Sequence, residues 1–134
     1  MPFLRFDVIK GRTDAEITAL LDAAHDAMLE AFNVPVRDRY QIVHEHEPSR
    51  VRIEDTGLDI PRTDKVVLVQ VTTRPRTTEE KTNFYRLLTE ALSKRCGIAP
   101  SDVMVHFITN TDADWSFGNG EAQFLTGKLG GKPK

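Results

Sequence analysis

Apolar and polar positions along this chain follow the same programme twice. A first run, Phe3 to Ile9, is rich in β-branched and aromatic residues, as strands are. Ile17, Leu20, Leu21, Ala24 and Met28 then recur at helical spacing, and a second strand-like run covers Tyr40 to Val43. The next round opens with Val66 to Thr73, continues with Phe84, Leu87, Leu88, Ala91 and Leu92, and returns through Val103 to Ile108. Shifting the sequence by 64 residues lays the two rounds over one another without a gap from about Phe3 to Val43. GRTDAEITALLDAAHDAMLEAFNVPVRDRYQIV falls on PRTTEEKTNFYRLLTEALSKRCGIAPSDVMVHF, placing Arg12 on Arg76, Glu16 on Glu80 and Asp38 on Asp102.

The punctuation repeats as well. Thr13-x-x-Glu16 and Thr77-x-x-Glu80 are both capping boxes, in which side chains at the N-cap and three residues later satisfy each other's backbone N–H groups. Asn33 and Gly97 stand where left-handed C-terminal caps are expected. Strand, helix and strand in succession suit a right-handed parallel crossover. The chain is therefore expected to be one α+β domain over 1–134, with βαβ units at about 2–45 and 66–109 and an extension at 110–134. Two such units give a four-stranded mixed sheet with both helices on one face. The other face then lacks a cover, and oligomerisation supplies one. The polar joining stretch from His46 to Asp64 is turn-rich, although Arg50 to Glu54 alternates like a short edge strand. The extension ends in GGKPK, expected to be flexible.

Composition narrows the function. With 18 basic and 20 acidic side chains, the net charge is −2, so nothing points to nucleic acid or to a membrane surface. A small anionic substrate would need a local basic site. Cys96 is the only cysteine, which excludes a disulfide framework, and its place at a helix end suggests a buried structural thiol. The N-terminus lacks the pattern of a signal peptide and no segment is long and apolar enough to span a membrane, so a cytoplasmic protein is expected.

Where the halves differ, chemistry can enter. Pro2 follows Met1, and a small residue there usually permits removal of the methionine, leaving a secondary amine at the start of a strand. A free α-amine titrates near pH ~8, so mild tuning lets it carry a proton or a lone pair. Arg74-Pro75-Arg76 replaces Lys10-Gly11-Arg12 of the first half. Pro75 holds the segment extended, so Arg74 and Arg76 should project to one side, either to grip a carboxylate between them or as a pair of solvated surface arginines at a strand end. Asp38 precedes the second strand and its mate Asp102 occupies the same loop position, so both can be turn residues, and only one can stand beside Pro2 if the site is built on a single side. His44 and His46 share a strand face, but no third ligand of matching placement accompanies them, so no metal is expected. His25 reads as a packing or surface residue of its helix. Trp115 and Phe117, followed by Gly118 and Gly120, suggest a short strand or hairpin presenting both rings on one face.

Taken together, Pro2 before a short strand, the repeated βαβ unit and the basic pair after the third strand resemble the tautomerase superfamily. Within it, FDVIKGRTDAEITALLDAAHDAM, VPVRDRYQIV, VTTRPRTTEEKTNFYRLLTEAL and NTDADWSFGNGEAQFLTG are similar to the malonate semialdehyde decarboxylase family, from Pro2 to about Leu129. That resemblance implies a homotrimer acting without a cofactor on a small anionic oxo acid. It implies Pro2 as catalyst and Asp38 as its acidic partner. Arg74 and Arg76 would bind the substrate carboxylate, with Trp115, Phe117 and Phe124 as a hydrophobic wall. The expected reaction converts malonate semialdehyde to acetaldehyde and CO2. Rival readings are a 3-haloacrylate dehalogenase or hydratase, a 2-oxo acid keto-enol tautomerase, a non-enzymatic trimeric binding module, or a ferredoxin-like assembly domain.

Overall fold

A computed structural model of the chain describes residues 1–129; the GGKPK segment lies outside the described residues. The strands are β1 (Phe3–Ile9), β2 (Tyr40–His46), β3 (Val67–Thr73) and β4 (Val103–Thr109). Two long helices, α1 (Asp14–Phe32) and α2 (Thr78–Cys96), cross between them, and a short α3 (Gln123–Thr126) lies in the extension. The sheet order is β2-β1-β3-β4. β1 pairs parallel with β2, β3 pairs parallel with β4, and the two halves join through antiparallel pairing of β1 with β3.

The caps form as the sequence demands. Thr13 and Thr77 both complete capping boxes, and Asn33 and Gly97 both close their helices in the left-handed conformation. Each such N-cap contributes about 1 kcal/mol. On the inner face of the sheet, Leu4, Phe6 and Val8 alternate with Val67, Val69 and Val71, all at most 1% exposed. Leu20, Ala24 and Met28 of α1 and Phe84, Leu88 and Leu92 of α2 close the core over them. The opposite face is uncovered in the single chain and leaves Tyr40, Ile42, Met104 and Ile108 exposed.

Two local expectations fail. Arg50 to Glu54 forms no edge strand: a 3-10 turn occupies Pro48–Arg50, and the following residues take no regular structure. Alternation alone did not make a strand where no neighbouring strand offered a ladder. Cys96 is half-buried rather than buried. No described helix is long and apolar enough to cross a membrane.

Candidate active site

The sheet register gathers the candidate residues at one end. Phe3, the first residue of β1, lies opposite Tyr40 at the start of β2 and opposite Thr72 near the end of β3. Whatever precedes β1 and β2 therefore meets whatever follows β3. Those segments carry Pro2, Asp38, and Arg74 with Arg76.

Pro2 is buried, and the amine of the preceding Met1 stands 3.8 Å from Asp38 Oδ2. That spacing is an ion-pair distance and too long for a hydrogen bond. Burial lowers the amine from 8.0 to about 6; Arg76 and Arg74 push the same way, while Asp38 and Asp112 oppose. Asp38 is 6% exposed, and neither carboxylate oxygen has a hydrogen-bond partner. Burial accordingly raises its carboxyl above the ordinary 3.8, against the pull of the terminal amine, Arg76 and His25. The turn that carries Asp38 is fixed from two sides. The Asp38 N–H donates to the Pro35 carbonyl at 2.9 Å, and buried His25 reaches from α1 to the Val36 carbonyl at 2.8 Å. A carbonyl only accepts, so His25 Nε2 carries the hydrogen.

The two arginines line one cavity of about 440 Å³ with Pro75, Thr77, Glu80 and Asp112. They are not a bare pair awaiting an anion, as the sequence suggested. Arg74 Nε donates to Asp112, and its guanidinium lies 4.2 Å from the Phe124 ring centre. Arg76 Nε donates to Thr73 Oγ1 at 3.1 Å, its guanidinium sits over Phe32, and Glu80 stands 3.9 Å away. These contacts fix both guanidinium planes while leaving further N–H groups of each fork for a ligand.

An aromatic wall runs beside them. Trp115 stacks on Phe117 with centroids 5.4 Å apart, and Phe117 meets Phe124 edge-on at 5.5 Å and Tyr40 at 5.6 Å. Both expected rings thus share one face, although the segment is a 3-10 turn at Asp112–Asp114 followed by a lone bridge between Gly118 and Glu121 rather than a strand. Gln123 secures the loop, accepting from the Phe117 N–H and donating to the Gly118 carbonyl, both at 2.9 Å. An open cavity of about 380 Å³ is lined by Met1, Asp38, Tyr40, Phe117 and Gln123, among others.

All seven candidate residues therefore lie in one neighbourhood. Tyr40, Asp112, Gln123 and His25 belong to it too and were not singled out. Asp112 and Gln123 sit in the extension, whose return to the sheet no repeat could reveal. His25 sits on the buried face of α1 facing the Asp38 turn, not simply in packing. His44 and His46 instead face Asp7 of β1, at 3.7 and 2.6 Å. Among the described residues no group of three or more His, Cys, Asp or Glu is arranged to hold a metal ion.

Fold and site together define a pseudo-symmetric βαβ enzyme scaffold whose reactive end offers an amine, an acid, two guanidiniums and an apolar wall. The sequence matches one tautomerase enzyme family over residues 38–118 and another over residues 2–60. It is 56% identical to the probable tautomerase YrdN of Bacillus subtilis (strain 168), over 96% of this chain and 100% of that protein. The crystal structure of a malonate semialdehyde decarboxylase with decarboxylase and hydratase activities superposes with a TM-score of 0.94 at 57% identity, covering 95% of this chain and 98% of the other. A wild-type fused 4-OT, solved as a symmetric trimer, gives 0.76 at 27% identity, covering 93% and 98%. The chain belongs to the tautomerase superfamily and has that superfamily's enzyme fold.

Proposed function

We propose that the chain, once Met1 is removed, decarboxylates malonate semialdehyde to acetaldehyde and CO2 through the amine of Pro2. The observation that carries this reading is that the amino-terminal segment, with buried Pro2 and the Met1 amine, lies beside the buried carboxylate of Asp38, which has no hydrogen-bond partner, under the field of Arg74 and Arg76. The relative at 57% identity is a malonate semialdehyde decarboxylase, which supports the same substrate here.

The substrate bears its carboxylate β to an aldehyde. When the C–C bond breaks, its electron pair must flow into the carbonyl. Arg74 and Arg76 bind the carboxylate, and their useful work is orientation, because that charge vanishes in the transition state and tight ground-state binding alone would raise the barrier. The bound anion also offsets guanidinium charge near the amine, which favours the protonated form of Pro2. Asp38 stabilises that ammonium. Its N–H then hydrogen-bonds the carbonyl oxygen and stabilises the developing enolate. The apolar wall of Trp115, Phe117 and Phe124 favours neutral CO2 over carboxylate. Proton transfer to the enolate carbon completes acetaldehyde.

In a second route, neutral Pro2 attacks the aldehyde, loses water and forms an iminium as electron sink. Borohydride added during turnover separates the two: a reduced adduct on Pro2 requires the iminium. The proposed function itself is tested by labelling with 3-bromopropiolate, the inhibitor of a second malonate semialdehyde decarboxylase that is 41% identical to this chain. Peptide mass spectrometry should find the modification on Pro2; modification elsewhere alone would sink the assignment.

Assembly follows from the uncovered sheet face. Tyr40, Ile42, Met104 and Ile108 are exposed there in the single chain, and a homotrimer like that of the fused 4-OT relative would bury them.

A further inference from the structure

The internal repeat implies a second copy of the site, and the structure allows its fate to be followed. Residues 64 positions from Met1, Pro2, Asp38 and Arg76 are Lys65, Val66, Asp102 and Arg12. No chain terminus exists at Lys65, so the amine is lost. The acid is lost as well: Asp102 is 1% exposed, but its carboxylate accepts from the Thr63 N–H at 2.7 Å and from the Thr63 hydroxyl. Asp38, by contrast, has no such partner.

One site cation survives: Arg12 stands for Arg76, whereas Lys10, the counterpart of Arg74, pairs with Glu47 instead. Arg12 and Lys65 line a cavity of about 290 Å³ with Arg95, Glu16 and Cys96. One substitution accounts for the space. Phe32, whose ring lies 4.8 Å beneath the Arg76 guanidinium, corresponds to the much smaller Cys96 beside Arg12. Arg12 is held in place by donation from Nη2 to the Lys65 carbonyl at 2.6 Å. Its Nη1 is sealed from solvent and has no hydrogen-bond partner. Nη1 is therefore out of reach of a ligand in the cavity, and it is the rest of the half-buried guanidinium that lines it. Three cations border the cavity against one carboxylate, and Glu16 already accepts from the Thr13 N–H as part of its capping box. Arg95 also pairs with Asp26 at 2.6 Å, which leaves Arg12 and Lys65 as the anion's principal partners.

We propose that this cavity is a second, non-catalytic site that binds a small carboxylate anion through Arg12 and Lys65. It keeps one recognition cation of the active site, Arg12, adds Lys65, and lacks the amine and the free acid. A ligand there bridges the start of α1 to the end of α2 and stabilises the fold without turning over.

Sodium malonate, titrated at constant ionic strength into the full chain, tests this by amide NMR, with sodium chloride as the control. Saturable shifts are expected at Lys65, Gly97 and Ile98, distinct in midpoint from those at Asp38 and Tyr40. Arg12→Gln should weaken the Gly97 and Ile98 response at least tenfold while leaving the Asp38 response unchanged. Lys65→Gln, which removes no buried group, should weaken it several-fold and serves if Arg12→Gln does not fold. Shifts that stay linear, that chloride reproduces, or that survive both substitutions overturn the proposal.

Discussion

Asp38→Asn should make the protein more stable and less active at the same time. In the Met1-bearing chain the Asp38 carboxylate is buried without a hydrogen bond, and its nearest cation is an amine whose pKa is lowered to about 6. At neutral pH that amine is largely unprotonated, so the carboxylate's charge is poorly compensated. Burial raises its carboxyl pKa above the ordinary 3.8. The folded state therefore holds the Asp38 proton more tightly than the unfolded state does. Linkage then gives a contribution that is fully favourable below 3.8 and is lost as pH rises through the elevated folded value. Replacing the carboxylate by an amide removes this loss but still buries polar atoms, so the net gain is about 1 kcal/mol at pH 7. For a domain of this size that is roughly 3–6 °C in Tm. The gain should vanish below pH 3.8, where both side chains are neutral.

Activity moves the other way. A unit charge within about 4 Å of the catalytic amine is worth at most about 4 kcal/mol at an effective dielectric of ~20. Losing it from the protonated amine lowers kcat by up to roughly 10³-fold. Stability is read by thermal denaturation of the Met1-bearing chain from pH 3 to 8, and kcat on the processed enzyme. A variant that is destabilised at pH 7 with kcat intact would refute the reasoning.

Retained Met1 should abolish activity, because the Pro2 nitrogen is then an amide; intact mass and turnover of cleaved and uncleaved preparations check this, and equal rates would contradict it. The terminal amine of the uncleaved chain should titrate near about 6 by NMR, whereas a value at or above 8 would show that burial and Arg76 do not govern it. Arg76→Lys keeps the charge but loses the planar fork and the stacking on Phe32. It should lower kcat/KM by roughly tenfold to a hundredfold, with kcat falling because orientation is lost as well as KM rising. Thr13→Ala should cost about 1 kcal/mol of stability by removing one capping box, with kcat unchanged.

The fold was legible because its signals are local and repeated. Thr13 and Thr77 cap within their own turn, and the strands alternate against partners that the same repeat supplies. Arg50 to Glu54 alternates too, but pattern without a pairing edge has nothing to bond. The candidate site was legible where the halves differ, at Pro2 and at Arg74 in place of Lys10, beside Arg76, which repeats Arg12. What stayed hidden depends on long-range return of the chain. The Arg74–Asp112 pair spans 38 residues, and the reach of His25 to Val36 follows from how α1 packs over the Asp38 turn. The unlike fates of Asp38 and Asp102 were equally hidden, since identical residues at equivalent positions differ only in whether Thr63 folds back on them.

The central claim meets its most direct test in a single assay. Protein whose amino terminus is verified as Pro2 is incubated with malonate semialdehyde, and products are followed by proton NMR beside parallel samples with a 3-haloacrylate and phenylenolpyruvate. The account predicts acetaldehyde at catalytic rates from the first substrate, lost in the form that retains Met1. Acetaldehyde no faster than background, with turnover of one of the other two compounds instead, would contradict it.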